Sequence, residues 1–277
     1  MGAFDSLSVA SSGLQAQSLA FQNISGNIAN SQTTAFKTVG TSFEDLLNGQ
    51  MLGAAGGVQA LSTESNTQGG TIQTSSVATN MAISGDGYFS VETPTATDGS
   101  GQPSFTGTTQ EYTRRGDFQL DANGYLVNGD GNYLMGTPLD ANGNPVSGAP
   151  QLLQFNAASL PSGQGALQGI SIGTNGTVLG TFASGQQVAL ASIPLSSFSG
   201  EDFLQQNTDG TVSATALSGT AFASSTATIV GGALESSNTD ITDQFSAMIQ
   251  TQQAYTANTN IISTTSQMLQ TATNLIA

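Results

Sequence analysis

The sequence predicts an α+β protein, with N- and C-terminal helices pairing as a coiled coil around a mainly antiparallel β middle region. Three observations carry this. Apolar residues recur every seventh position near the start, at Leu7, Leu14, Phe21 and Ile28. They do so again near the end, at Ile241, Met248, Tyr255, Ile262, Leu269 and Ile276. Between these stripes the apolar period falls to two, and Asn-Gly and Asp-Gly pairs interrupt it. A sustained seven-residue spacing marks helices that wrap on a partner, because 3.5 residues per turn keeps one seam facing it. Alternation broken by Asn-Gly or Asp-Gly marks hairpins.

The first helix is expected from residue 3 to about residue 30. Phe4 and Ile24 join its apolar positions, Ala3, Ala10, Ala16 and Ala20 add helix propensity, and Asn30 is the expected stop. No charge occurs from Ser6 to Phe36. Residues 36–70 read as a linker or irregular segment, anchored by Phe36, Phe43, Leu46 and Leu47 and diluted after Gly49 by Gly, Ala, Ser and Gln. Residues 71–237 read as a β-rich outer domain. Met81, Ile83, Tyr88, Phe89 and Val91 flank Gly85-Asp86-Gly87. Phe118, Leu120, Tyr125, Val127, Tyr133 and Met135 are set between Asn123-Gly124, Asn128-Gly129 and Asp130-Gly131. Residues 137–168 are a loop or a reduced insertion, and strand signals resume from Ile170 to Ile193 with a turn at Asn175-Gly176. The second helix runs from about residue 239 to the end, with Ser236, Ser237, Asn238 and Asp240 as possible caps. Residues 1–35 and 238–277 together form the expected inner, terminal coiled-coil domain.

Composition removes most catalytic chemistry. The 277 residues include no Cys, His or Trp, and the only basic side chains are Lys37, Arg114 and Arg115. There is then no thiol nucleophile, no imidazole base and no zinc site of the usual N/S type. A formal charge of −15 disfavours nucleic acid and anionic lipid as partners. No run of 18 apolar residues is present and no cleavable signal peptide is expected. Charged residues make up 8%, where about a quarter is usual. A surface so poor in charge suits a chain that buries much of itself against copies of itself.

Isolated motifs add little. Arg115-Gly116-Asp117 reads as a turn with satisfied charges. Asp121, Asn123, Asp130 and Asn132 lack the spacing and terminal Glu of a calcium loop. Gly85-Asp86-Gly87 is a hairpin turn and too short to cradle phosphate. Glu201 and Asp202 are neighbours with no aromatic sugar platform, which argues against glycan hydrolysis. The expectation is no catalytic residue, no cofactor and no metal, with the two stripes plus Ile24 as subunit-packing residues.

NISGNIANSQTTAFKT, from Asn23 to Thr38, resembles the N-terminal signature of bacterial flagellar hook and basal-body rod proteins, with Asn27, Asn30, Phe36 and Lys37 on its motif positions. FEDLL from Phe43 to Leu47 is a common continuation. The segment from Ala233 to Ile276 is similar to the family's C-terminal block, although Gln252-Gln253-Ala254-Tyr255 lacks the usual Arg. AISGDGYFSV (82–91) and YTRRGDFQLDANGYLVN (112–128) look like its β core. The resemblance implies a homo-polymeric tube with an inner coiled-coil layer and outer β-domains, and no enzyme activity. It also implies type III export, rod, hook cap and hook–filament junction proteins as partners, and an extracellular place in the flagellum without membrane insertion. YLMGTPLDANGNPV (133–146), and a link from Leu47 to Thr71 shorter than distal rod proteins tend to carry, favour a compact hook protein; the alternative is a distal rod protein. An extracellular adhesin and a glycan hydrolase rank below both.

Overall fold

A computed structural model describes residues 3–46, 56–97, 103–105, 109–140, 143–146, 149–156, 166–207 and 209–276. Leu47 and residues 49–55 of the expected linker lie outside the described residues, as do the side chains of Phe4 and Ile276. Contacts divide the chain into two compact units, one of residues 1–32, 37–65 and 239–277 and the other of residues 33–36 and 66–238.

The first unit holds helix α1 (Ala3–Ala29), a β-hairpin of β1 (Val39–Leu46) and β2 (Gly57–Glu64), and helix α2 (Ile241–Ile276). Both α1 and α2 pack together, as the two stripes predict. They run antiparallel, since Asn27 near the end of α1 bonds Gln244 near the start of α2, while Gly13 lies against Asn258. At the close of α1, the Asn30 backbone N–H and side-chain Nδ2 both donate to the Gly26 carbonyl at 3.0 Å. Asp240 caps α2, its Oδ1 accepting from the backbone N–H of Thr242 at 2.7 Å. Among the described residues, no helix is long and apolar enough to cross a membrane.

The hairpin differs from the expected irregular link. Its eight-residue strands pair from Val39 opposite Glu64 to Leu46 opposite Gly57. Sequence alternation did not show it because the ribbon is held to α1 largely through polar groups. Ser12 Oγ accepts from the Val58 N–H at 3.2 Å, and Asn23 Nδ2 donates to Thr41 Oγ1 and Ser62 Oγ, both at 2.9 Å.

The second unit is antiparallel throughout its described pairings, as expected. Strands 167–172, 177–182 and 187–192 form a meander; 133–138 joins its edge, followed by 88–92 and 111–113. Met81, Phe89, Val91, Phe118, Leu126, Leu134, Val178 and Phe182 fill one core, and Phe89 meets Phe118 edge-on with ring centres 5.8 Å apart. A smaller cluster packs Tyr88, Tyr112, Phe198, Leu204 and Val212. Parts of the expected 137–168 loop are ordered into the sheet, where Gln151–Leu152 pairs with Met135 and Gly136.

The turns are built differently from two-residue hairpins. At 121–125, 128–132 and 140–144 the first residue's N–H donates to the fifth residue's carbonyl, and the fourth, a glycine, returns an N–H to the first. In all three the first residue's Oδ1 accepts from the fifth N–H. In each, the glycine stands at positive φ, at 85°, 89° and 81°. Asn175-Gly176 is the turn with both residues left-handed, at φ 70° and 73°.

Candidate functional site

The terminal helix pair is the feature of the fold with chemistry still to explain. On α1 the buried line is Ala10, Gly13, Ala16, Ala20, Ile24 and Asn27. On α2, Thr251 and Thr265 are buried, with Gln244, Met248, Ala254, Asn258, Ile262 and Leu269 half-buried. The seam therefore sets small and polar residues beside Ile24, Met248, Ile262 and Leu269. A Cβ on Gly13 would lie 2.8 Å from Asn258 Nδ2, so the glycine makes room for that amide. Ala20, Ile24 and Asn27 share a groove of about 420 Å³ with Gln244, Ala247, Thr251 and Ala254.

This placement displaces the predicted stripe. Ile24 is buried, Leu7, Leu14 and Ile28 are half-buried, and Phe21 is 40% exposed. On α2, Met248, Ile262 and Leu269 are half-buried, whereas Ile241 and Tyr255 are 43% and 47% exposed. Phe21 and Tyr255 are brought together as walls of an open groove of about 520 Å³ floored by Gln17 and Thr251. The signal that could have located the seam was a second seven-residue series, Gly13, Ala20 and Asn27 against Gln244, Thr251, Asn258 and Thr265.

Beyond the seam, α2 exposes Phe245, Ile249, Ile261, Met268 and Leu275. Six of its threonines bond within the helix. Thr251, Thr256, Thr259, Thr264, Thr271 and Thr273 each donate a hydroxyl to the carbonyl four residues earlier, at 2.8–3.0 Å. Such a face can be covered by a neighbour without orphaning these hydroxyls, and it carries no charge that would need pairing.

The motif residues hold the backbone. Asn27 is 2% exposed; its Oδ1 accepts from the Val39 N–H at 2.9 Å, and its Nδ2 donates to the Val39 carbonyl at 2.9 Å and to Gln244 Oε1 at 3.0 Å. Lys37 is buried, and the adjacent Thr38 hydroxyl meets that of Thr239 at 3.0 Å. In the second unit, Phe36 is half-buried and its carbonyl accepts from Asn238 at 3.3 Å. Ala35 stands at φ 55°, with its N–H donated to the Glu235 carbonyl at 2.8 Å.

No enzyme-like constellation emerges from the side chains weighed as candidates. Arg115 clasps Asp117 at 2.8 Å and Asp130 at 2.6 Å; burial lowers its pKa, but the hydrogen bonds and charges of Asp117 and Asp130 together outweigh that and raise it. A Cβ on the intervening Gly116 would collide with the Met81 carbonyl. Asp121 is spent on the turn amides of Asn123 and Tyr125. Glu201 opens a single 3₁₀ turn, and burial, then Asp86, raises its pKa. Among the described residues no three or more Asp, Glu, His or Cys side chains gather as a metal group.

Comparison with known proteins bears on what such a helix pair belongs to. A family model described as the flagellar hook protein FlgE/F/G D1 domain matches residues 82–180, and one described as flagellar basal body rod FlgEFG protein C-terminal matches residues 230–275. The chain is similar to the flagellar basal-body rod protein FlgG of Bacillus subtilis, with 31% identity over 273 residues covering 91% of each chain. FlgG of Buchnera aphidicola subsp. Acyrthosiphon pisum is 30% identical over 98% of this chain and 99% of its own. The flagellar hook protein FlgE of Caulobacter vibrioides is 40% identical over 144 residues, which is 50% of this chain but 22% of the hook protein.

Proposed function

The chain belongs to the flagellar hook and basal-body rod protein family, and on that premise we propose that it is a structural subunit of the bacterial flagellum, polymerising in the distal part of the basal-body rod. The observation that carries the choice of rod is coverage. Rod relatives align with this chain nearly end to end, whereas the Caulobacter hook protein shares only about a fifth of its length. The expected preference for a hook subunit therefore gives way to the rod. Of the link that had counted against a rod protein, residues 57–64 form β2, which pairs with β1 in the first unit where loop was expected.

The working parts are surfaces. Exposed apolar residues of α2, with the groove between Phe21 and Tyr255, supply packing area to neighbouring copies, and the self-bonded threonines allow burial without orphaned donors. Copies of the chain and other axial proteins are the partners, reached after export by the flagellar type III apparatus. The predicted stripe residues take part at the edges of these contacts, while the small-residue seam holds α1 and α2 together.

Immunogold labelling of purified hook–basal bodies with antibody to this chain tests the assignment. Gold on the straight rod is the expected result; gold along the hook would transfer the chain to the hook. A clean deletion should abolish filaments and swimming. Normal filaments in that strain would favour an adhesin and end the axial reading.

A further inference from the structure

Glu201 is a carboxyl group placed where a charge has little to meet. Its Oε2 is buried without a hydrogen-bond partner among the described residues, and its Oε1 lies 3.4 Å from the Ser197 hydroxyl, a long contact. A carboxylate oxygen buried without a donor is unfavourable, whereas a neutral carboxyl can bury one oxygen and donate through the other. The charged groups around it do not repair this. Asp86 faces it from the turn between strands 81–84 and 88–92, and Asp202 from its own turn. Arg114 faces it from the end of strand 111–113, but that guanidinium is committed elsewhere. Its Nε lies 3.2 Å from Glu235, its Nη2 donates to the Gly85 carbonyl at 2.9 Å, and the Tyr88 ring centre is 5.8 Å away. Ser197 and Asn66 bring only neutral groups. Burial, then Asp86, pushes the Glu201 carboxyl above the ordinary glutamate range against the opposing pull of Arg114 and Ser197.

The backbone of the same residue is a junction. The Glu201 carbonyl accepts from Asn66 Nδ2 at 3.1 Å and from the Leu204 N–H at 3.3 Å, and the Gly200 N–H donates to the Ser218 carbonyl at 3.2 Å. Asn66 is 4% exposed, and Leu204 belongs to the buried cluster of Tyr88, Tyr112, Phe198 and Val212. No side-chain cap at Gly200 holds the 3₁₀ turn Glu201–Phe203 in place. We propose that Glu201 is a proton-dependent latch: its neutral carboxyl donates to the Ser197 hydroxyl and keeps the 200–204 segment closed against that cluster, and loss of the proton opens the segment. Ionisation turns Oε1 from donor to acceptor and leaves Oε2 as part of a buried charge, which favours movement of the carboxylate towards water. The carbonyl that holds Asn66 and Leu204 moves with it. A folded-state pKa raised above its unfolded value gives an acid stability that is fully present below the ordinary glutamate range. That stability is lost as pH rises through the higher, folded value. The latch is independent of the rod assignment, and either can fail without the other.

The test follows amide exchange in the full-length chain from mildly acid to mildly alkaline pH, corrected for the intrinsic pH dependence of exchange. The Gly200 and Leu204 amides should lose protection as pH rises, while Phe182, whose N–H donates to the Gln186 carbonyl, keeps its own. Glu201→Gln preserves the shape and cannot ionise, so protection at Gly200 and Leu204 should persist across the range. Glu92 is a second acid that burial pushes upward, and Glu92→Gln should leave the response at Leu204 as it is in the parent. Carboxyl-carbon shifts of ¹³C-glutamate, assigned through bonds to Glu201, provide a measurement on the unmodified protein even if a variant fails to fold. That signal should titrate above the ordinary glutamate range and in step with exchange at Leu204. Titration within or below that range would overturn the proposal, as would a Leu204 protection that ignores pH. The same pH response in Glu201→Gln would pass the latch to another group and end this one. Equal loss at Phe182 would make the opening global and would also end it.

Discussion

Asn27 shows how much one side chain can hold. Its amide satisfies both backbone groups of Val39 and reaches Gln244, so three segments of the first unit converge on it. Asn27→Asp keeps the shape but sets a carboxylate against two acceptors, and should cost about 2–4 kcal/mol. Urea unfolding, together with faster amide exchange at Val39, measures this. Ala35 makes the opposite case. A non-glycine residue at φ 55° is strained, so Ala35→Gly should stabilise by about 0.5–1 kcal/mol net of its entropic cost. In the β unit, Arg114 Nε lies 3.2 Å from Glu235 Oε2 with both side chains buried, and Glu235 Oε1 also accepts from the Gly70 N–H. Arg114→Met strands that carboxylate and should cost about 3–5 kcal/mol, with Glu235→Gln in the same chain recovering part. The sequence marked Asn27 as a motif position but gave no reason for it, because the reason lies in strand and helix partners 12 and 217 positions away.

Helix α2 illustrates what is legible at the scale of an element and what is not. Its existence and length follow from periodicity, and its start from Asp240. The Thr242 and Asp243 amides, in that order, lower the Asp240 pKa, and this fixes a sign for acid behaviour. A depressed folded-state pKa gives stability that is present above the ordinary aspartate range and is lost as pH falls through the lower, folded value. Acid should therefore fray the first turn of α2, seen as faster exchange at Thr242, and Asp240→Asn should remove that pH response. Which face of α2 meets α1 was less legible. The apolar stripe was plain, yet the helices approach through Gly13, Ala20, Thr251 and Asn258, because small residues permit close backbone contact. Ile261→Asp and Met268→Asp, on exposed positions, should prevent polymerisation while leaving monomer circular dichroism unchanged. Normal polymer from either variant would remove α2's outer face from the assembly surface. The β1–β2 ribbon was missed outright: Ser12, Asn23 and Asn27 hold it, and no hydrophobic alternation marks such bonds.

For the molecule as a whole, two kinds of stability are combined. The β unit has a core of large apolar side chains, with Phe89, Phe118 and Phe182 fully buried, and two-state unfolding of that unit is expected. The helix pair is joined by small and polar residues and leaves Phe245, Ile249, Met268 and Leu275 exposed. With those side chains exposed, much of the stabilisation of the helices is expected from neighbouring copies. Limited proteolysis of the monomer should then cut before about residue 35 and after about residue 238, with the same sites protected in polymer. Equal protection in both forms would mean that the pair is stable alone.

The sequence by itself determined the class of fold, the two long helices, the antiparallel middle and the near absence of charge that suits a buried assembly. Those features rest on periodicity and composition, which are properties of local chain. Only the tertiary structure decided which seven-residue series forms the seam and that the link folds as a ribbon. Each of those depends on polar groups far apart in the chain meeting at hydrogen-bond distance, and such meetings leave no period behind.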